Sequence, residues 1–414
     1  MVALAVLCVA VGATAASAQS LTSKDSGMFT LRYSLKSSAL LSLSPDDPAL
    51  FPDRGSAVGL WRFRVEPAVR LGNQGAFELG FEQRLRVFSS TSSLAGASVL
   101  PVSAAAPFRI RQLDWRLFSS SNSEWRGEID RAAVHVHLPA ASLTVGRQAI
   151  GWGRGVLFGA VDIFSPFTPL EADREWRRGV DAVRVDVKLA DRASLDVVAA
   201  FGNSVDHSAY AARLRGYAGR ADIEIVGGRR ASDVFGGITS SAAVGAFEVH
   251  GELAVFRTPA APGSLDFGDP RSVPKAVMGG SYRFAVGSGL LVYAEYHYSG
   301  FGATSPDRIV SELHDPAFQE RNLRGDTQIL GRNATAMLAS YELSPEASLS
   351  TEWLHSPVDG SGVVVPSVTL TFSDHWSMVL SGYAPYGREP VGSTLGSAFG
   401  TAPLAAFVQI RTYQ

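Results

Sequence analysis

The chain has 414 residues, 46% of them hydrophobic, with 37 Lys and Arg against 39 Asp and Glu, for a formal net charge of −2. That balance gives no case for nucleic-acid binding, and beyond the N-terminus no apolar run approaches the ~18 residues of a membrane-spanning helix. The single cysteine, Cys8, leaves no basis for disulfides or cysteine-based metal sites.

Residues 1–18 contain an apolar run from Val2 to Ala16, too short to span a bilayer, and end in Ala16-Ser17-Ala18 before Gln19. This small-x-small ending predicts a signal peptide over 1–18 and a mature domain over 19–414, although no Lys or Arg follows Met1. No composition shift or Pro/Ser linker divides the rest, so one continuous domain is the simpler reading.

From Phe29 to Tyr413 a two-residue rhythm of hydrophobicity returns about every twelve residues. In the stretch 77–87, Phe77, Leu79, Phe81, Leu85 and Val87 share one face, while Glu78, Glu82, Arg84 and Arg86 share the other. Such a strand suits lipid on one side and water on the other. Long helical patterns are missing and Gly is abundant at 41, so the class is all-β.

Short turns are expected at 72–75, 139–142, 190–193, 218–220, 243–245, 285–288, 344–347 and 373–375. These eight join sixteen strands into hairpins. A first strand over about 28–41 and a last over about 404–414 bring the total to eighteen, with both ends on one side of a transmembrane antiparallel β-barrel. The alternative is sixteen, should the weak pair at 207–217 and 221–232 not span. Long connections alternate with the turns at 43–58, 90–125, 151–178, 203–207, 231–234, 258–273, 301–331, 357–361 and 387–402. The strand-like stretch 108–117 breaks this alternation and is assigned to a loop that folds back. Pro366, inside a strand, is expected to remove one ladder bond.

A soluble β-sandwich would also alternate, but strands of about ten residues match a tilted crossing of the hydrocarbon layer. Tyr293, Tyr296, Tyr298, Tyr383 and Tyr386 near strand ends are read as an interfacial girdle. The layout resembles bacterial outer-membrane porin-like proteins, and Gly146-Arg-Gln148 with Trp152-Gly153 is similar to elements of alginate-export-type porins. The resemblance implies diffusion or export through a barrel. Gln414 after Tyr413 departs from the closing aromatic that such chains carry.

Charges on the inward faces then bear on function, because a barrel wall tolerates them only toward water or a partner. Arg62, Arg64 and Glu66 alternate with outward Trp61, Phe63 and Val65; Glu78, Glu82, Arg84 and Arg86 follow; Arg184, Asp186 and Lys188, then Glu248, His250 and Glu252, continue the set. Arg62, Arg64, Glu78, Glu82, Arg84, Arg86 and Arg184 are the expected pore-lining residues. Mixed signs can zip into structural ion pairs or set a field that solutes cross.

The loop 151–178 is the expected constriction. Its first half carries Trp152, Phe158, Ile163, Phe164 and Phe167, which favour docking against the inner wall. Arg154 and the charged second half, with Glu171, Asp173, Arg174, Glu175, Arg177 and Arg178, would face the lumen; an external cap is the plainer alternative.

Enzyme motifs are missing. The sequence GWGRGV fails the dinucleotide fingerprint at Val156, and no GxSxG, HExxH or phosphate loop occurs. His135 and His137 share an inward face near Arg131, more simply as polar filler than as metal ligands or a base. The expectation is a channel for small hydrophilic solutes, with anions favoured by the arginines and no cofactor or metal. The competing reading is a non-conducting barrel in export, envelope assembly or adhesion. Outer-membrane lipid is an expected partner, and association into a homo-oligomer is left open.

Overall fold

A computed structural model describes residues 28–89, 106–259, 271–313, 316–392 and 395–414. The signal peptide expected over 1–18 lies outside them. The first strands are β1 (Phe29–Leu43), β2 (Gly55–Leu71), β3 (Gly75–Phe88), β4 (Asp114–Ser119), β5 (Ser123–His137), β6 (Ala141–Ala149) and β7 (Gly179–Ala190). They are followed by β8 (Ala193–Ala200), β9 (Ala209–Ala218), β10 (Ala221–Arg230), β11 (Asp233–Val244), β12 (Phe247–Thr258), β13 (Arg271–Phe284) and β14 (Leu290–Ser299). Two short helices, α1 (Pro306–Leu313) and α2 (Pro316–Leu323), precede β15 (Asn333–Ser344), β16 (Ala347–Ser356), β17 (Ser361–Ser373), β18 (Trp376–Tyr386) and β19 (Leu404–Tyr413).

All but β4 form one antiparallel ring, closed where β1 meets β19 from Ser34 opposite Tyr413 to Leu43 opposite Leu404. β3 pairs directly with β5, and among the described residues β4 hydrogen-bonds to β5 alone. The ring therefore has eighteen spanning strands. All eight short turns fall where the sequence places them, and β9 and β10 span. The pairing of β17 with β18 skips Pro366, as a residue without an N–H requires.

The outer surface is that of a membrane barrel: Phe63, Phe77, Leu85, Val134, Val145, Val197, Ile225, Ile238, Leu253 and Met337 are all exposed on it. Two of the expected girdle tyrosines face the other way. Tyr293 and Tyr383 are buried on the lumen side, whereas Tyr296 and Tyr386 are exposed. Strand parity is the reason, since Tyr293 and Tyr296 lie an odd number of residues apart and cannot share a face.

The wall changes course where β6 parts from β5. A bulge sets Gly80 opposite Arg131 and Phe81 opposite Ile129, so Asp130 and Arg131 both reach the lumen. On the next strand Gly146 has φ +122°, and a Cβ there would strike the backbone of Ala132. Beyond it β6 bends inward to begin the 150–178 loop, and residues 106–113 fill the space it vacates: Asp181 N donates to Phe108 O at 2.9 Å, and Arg109 Nε to Gly179 O at 2.8 Å.

Candidate solute pathway

The inward side chains of β1–β5 form one connected charge network. Arg62 donates two hydrogen bonds to Glu82, at 3.1 and 2.9 Å. Arg64 pairs with Glu66 at 2.9 Å and Asp130 at 3.0 Å, and Arg84 with Glu128. Arg109, from the wall-filling segment, holds Glu128 at 2.5 Å and Asp130 at 3.2 Å. Most of these groups are buried among one another, so their geometry is fixed by mutual compensation. Arg86 is half-buried on the same face; Glu78 lies 3.4 Å from His135, whose other ring nitrogen meets Thr144 Oγ1 at 3.1 Å. Arg184 shares Asp196 with Arg213, at 2.9 and 3.1 Å.

The 150–178 loop lies inside the ring rather than over it. Ile150, Trp152, Leu157, Phe158, Val161, Ile163 and Phe164 are all buried. Trp152 packs edge-on against Phe164, and Phe164 against Phe108. The loop therefore has an apolar core of its own, seated on the wall, as its composition requires.

Its apex, Arg154 to Val161, has no regular structure and could not satisfy its own backbone. Every one of its eight N–H groups donates to a side chain from elsewhere. Glu252 on β12 accepts from Arg154, Gly155 at 2.8 Å, Ala160 at 2.6 Å and Val161 at 3.2 Å. Glu295 on β14 accepts from Val156, Leu157 and Phe158 at 2.8 to 3.0 Å, and Gln328 from Gly159 at 2.8 Å. Gly153 has φ +107°, and a Cβ there would stand 2.7 Å from a Glu252 oxygen, so the glycines of this stretch do serve close approach to an anion. The anion is the protein's own.

The charged second half returns along the opposite wall. Asp173 accepts from Lys36 Nζ at 2.8 Å and Arg62 at 2.9 Å, and Trp176 lies beneath Lys36, Arg62 and Arg64, 3.7 to 5.1 Å from its ring. Burial alone would raise Asp173, but Lys36 and Arg62 hold its carboxyl below the ordinary range. Burial pushes Glu171 up against the pull of Arg178, and pushes Asp162 up against Arg177. Arg154 reaches Asp222 and Glu224, Arg174 reaches Glu352 at 3.4 Å, and Arg177 binds Asp162 and stacks on Phe167 at 4.8 Å. Arg178 lines a narrow space with Arg62, Arg64, Arg84, Glu82, Glu128, Asp130, Glu171 and Trp176.

A second inward segment, 300–332, was not legible as such in the sequence. Arg321 on α2 binds Asp233, and Asp326 binds Arg230 at 2.7 Å, tying the segment to β10 and β11. Gln328 joins the two loops, accepting from Gly159 N and donating to Phe167 O at 3.4 Å. Between them lies a cavity of about 350 Å³ lined by Trp152, Asp162, Phe167, Arg177, Glu252 and Gln328, among others. Strand parity puts Glu252 on the inner wall, but nothing in the sequence marks its role or that of Glu295 and Gln328. An inward acid in strands with few inward cations was the available signal.

No family model matches the chain, and no curated protein matches it. Among solved structures it is similar to OccAB1 of Acinetobacter baumannii, with 9% identity, a TM-score of 0.57, and 96% of this chain and 99% of that one covered. It is also similar to OccK11 (OpdR) of Pseudomonas aeruginosa, at 11% identity and TM-score 0.52, covering 93% and 95%. OccAB4 of Acinetobacter baumannii gives 8%, 0.54, 94% and 98%. At such identities the likeness concerns the fold, which is a porin-like β-barrel.

Proposed function

We propose that the chain forms an outer-membrane channel for small hydrophilic solutes, narrowed by the 150–178 loop and favouring anions there. The observation that carries this reading is the seating of that loop inside a closed ring whose inner wall is charged. An apolar outside with a polar inside is what a hydrated bore needs, and arginines keep their charge near neutral pH. No catalytic group is invoked. The loop itself carries four Arg against four acids, so the anion preference depends on Lys36, Arg62, Arg64 and Arg84 beside it.

Conductance of the purified protein in planar bilayers tests the reading. Deleting residues 156–172 should raise unit conductance, and replacing Arg174, Arg177 and Arg178 with Ala should move the reversal potential toward cations. A conducting wild type unaffected by either change would make the loop irrelevant to selectivity. The linkage of the two inward loops through Gln328 favours a second reading, a barrel closed by its loops that serves export, envelope assembly or adhesion; absence of conductance would select it.

Export to that membrane is read from residues 1–18, with cleavage after Ala18, which mass spectrometry of the mature protein would check. Kinship with alginate-export-type porins rests on Gly146-Arg-Gln148 and Trp152-Gly153. Those residues bend β6 inward, pair Arg147 with Asp181 at 2.7 Å and anchor Trp152 to Asp196 at 3.1 Å. Cross-linking in native membranes separates a monomeric pore from a homo-oligomer.

A further inference from the structure

We propose that Glu252 and Glu295 are positioning residues that set the bore, their carboxylates acting as built-in anions in a backbone nest at the apex of the 150–178 loop. Glu252 lies on β12 and Glu295 on β14, six and eight places along the ring from β6, where the loop begins. Seven consecutive or near-consecutive amides close on these two side chains, four on one and three on the other. Both glutamates are buried, and among the described residues neither has an Arg or Lys at ion-pair distance. Backbone dipoles therefore compensate Glu252, and together with His250 and Tyr293 they compensate Glu295; apart from the Tyr293 hydroxyl, 3.3 Å from Val156 N, the described residues offer these N–H groups no other acceptor. His250 and Tyr293 brace the arrangement: His250 Nε2 lies 3.0 Å from Glu295 Oε1 and 2.9 Å from the Tyr293 hydroxyl, which itself donates to Glu295. A contact between apolar side chains would fix the loop loosely; this one fixes each peptide plane of the apex.

The consequence for the bore rests on the channel reading, but the latch itself does not. With Cys8 the only native cysteine, a spin label at Val156→Cys, an exposed apex position, reports loop immobility without any current. In the double variant Glu252→Ala, Glu295→Ala the label should lose its immobilised spectrum while the barrel keeps its heat-modifiable migration. Added formate or acetate should restore immobilisation, since a free carboxylate can refill the nest, whereas chloride should not. Unit conductance should rise in the variant and fall again with formate. A label that stays immobile in the folded variant overturns the proposal, and so does release that no small carboxylate reverses, because packing alone would then hold the loop. If the double variant fails to assemble, Glu295→Ala alone is measured instead with the same label, which sits on one of the three amides that Glu295 accepts from, and the same two results decide. A wild type that does not conduct would remove the channel reading and leave the spectroscopic result standing.

Discussion

Glu82 and Glu78 lie four residues apart on the same face of β3, yet they differ in what neutralisation would do. From the sequence both are lumen charges that water could solvate. In the structure Glu82 is buried, held by two hydrogen bonds from Arg62 and within 3.6 Å of both Arg64 and Arg84, whereas Glu78 is half-buried beside His135. Glu82→Gln should therefore destabilise the barrel by about 3 kcal/mol, because it strands guanidinium groups that have lost their counter-charge. Glu78→Gln should be close to neutral, as a partly solvated ion pair usually is. On the outer face Leu79→Arg should cost about 1 to 3 kcal/mol, less than at the membrane midplane because Leu79 lies toward the short-turn end. Denaturant titration in detergent or lipid ranks the three, and an ordering with Glu78→Gln as the worst would mean that the faces are misassigned.

At the scale of the element, the 150–178 loop makes the lumen sensitive to pH in a defined direction. Four arginines and four carboxylates line the narrow space by Trp176. Burial raises the Glu171 carboxyl, so this group takes up its proton above the ordinary Glu value of about 4.3. Protonation removes a negative charge and leaves the space net positive; Asp162, also raised by burial, acts in the same sense in the neighbouring cavity. Anion preference should therefore grow as pH falls through the raised value, and Glu171→Gln should show the low-pH preference already at neutral pH. Reversal potentials in a salt gradient, measured across that range, decide it: a wild type whose preference moves toward cations on acidification has some other group in control. Asp173, held low by Lys36 and Arg62, stays ionised throughout this window. The docking of the loop was legible from Trp152, Phe158 and Phe164, since so apolar a segment must be covered. Its attachment points were not, because nothing local marks Glu295 or Gln328 as the partners of a stretch more than a hundred residues away.

At the scale of the molecule, hairpins were readable and closure was not. The turns at 72–75, 190–193 or 344–347 declare themselves by local composition, and each pairs strands adjacent in sequence. The pairing of β1 with β19 has no local signature; it followed only from the parity of short and long connections. The same parity leaves 108–117 outside the ring, and β4 makes that testable. A barrel in lipid must satisfy every backbone group within its wall, since no water is present to replace a missing strand. Removing β19 strips β1 and β18 of their partners at once, so residues 404–413 should be indispensable: the truncated chain should lose heat-modifiable migration and aggregate without detergent. Among the described residues β4 hydrogen-bonds only to β5, along the edge that β6, paired from Ala132 to His137, leaves free, and β5 keeps its ladder to β3 without it. Replacing Asp114–Ser119 by a short Gly/Ser linker should leave a folded, heat-modifiable barrel with a β-dominated circular dichroism spectrum. The linker must spare Arg109, because its bonds to Glu128, Asp130 and Gly179 O belong to the wall itself. If the β4 replacement abolishes assembly as completely as loss of β19 does, β4 is part of the closed wall and the count of eighteen spanning strands is wrong.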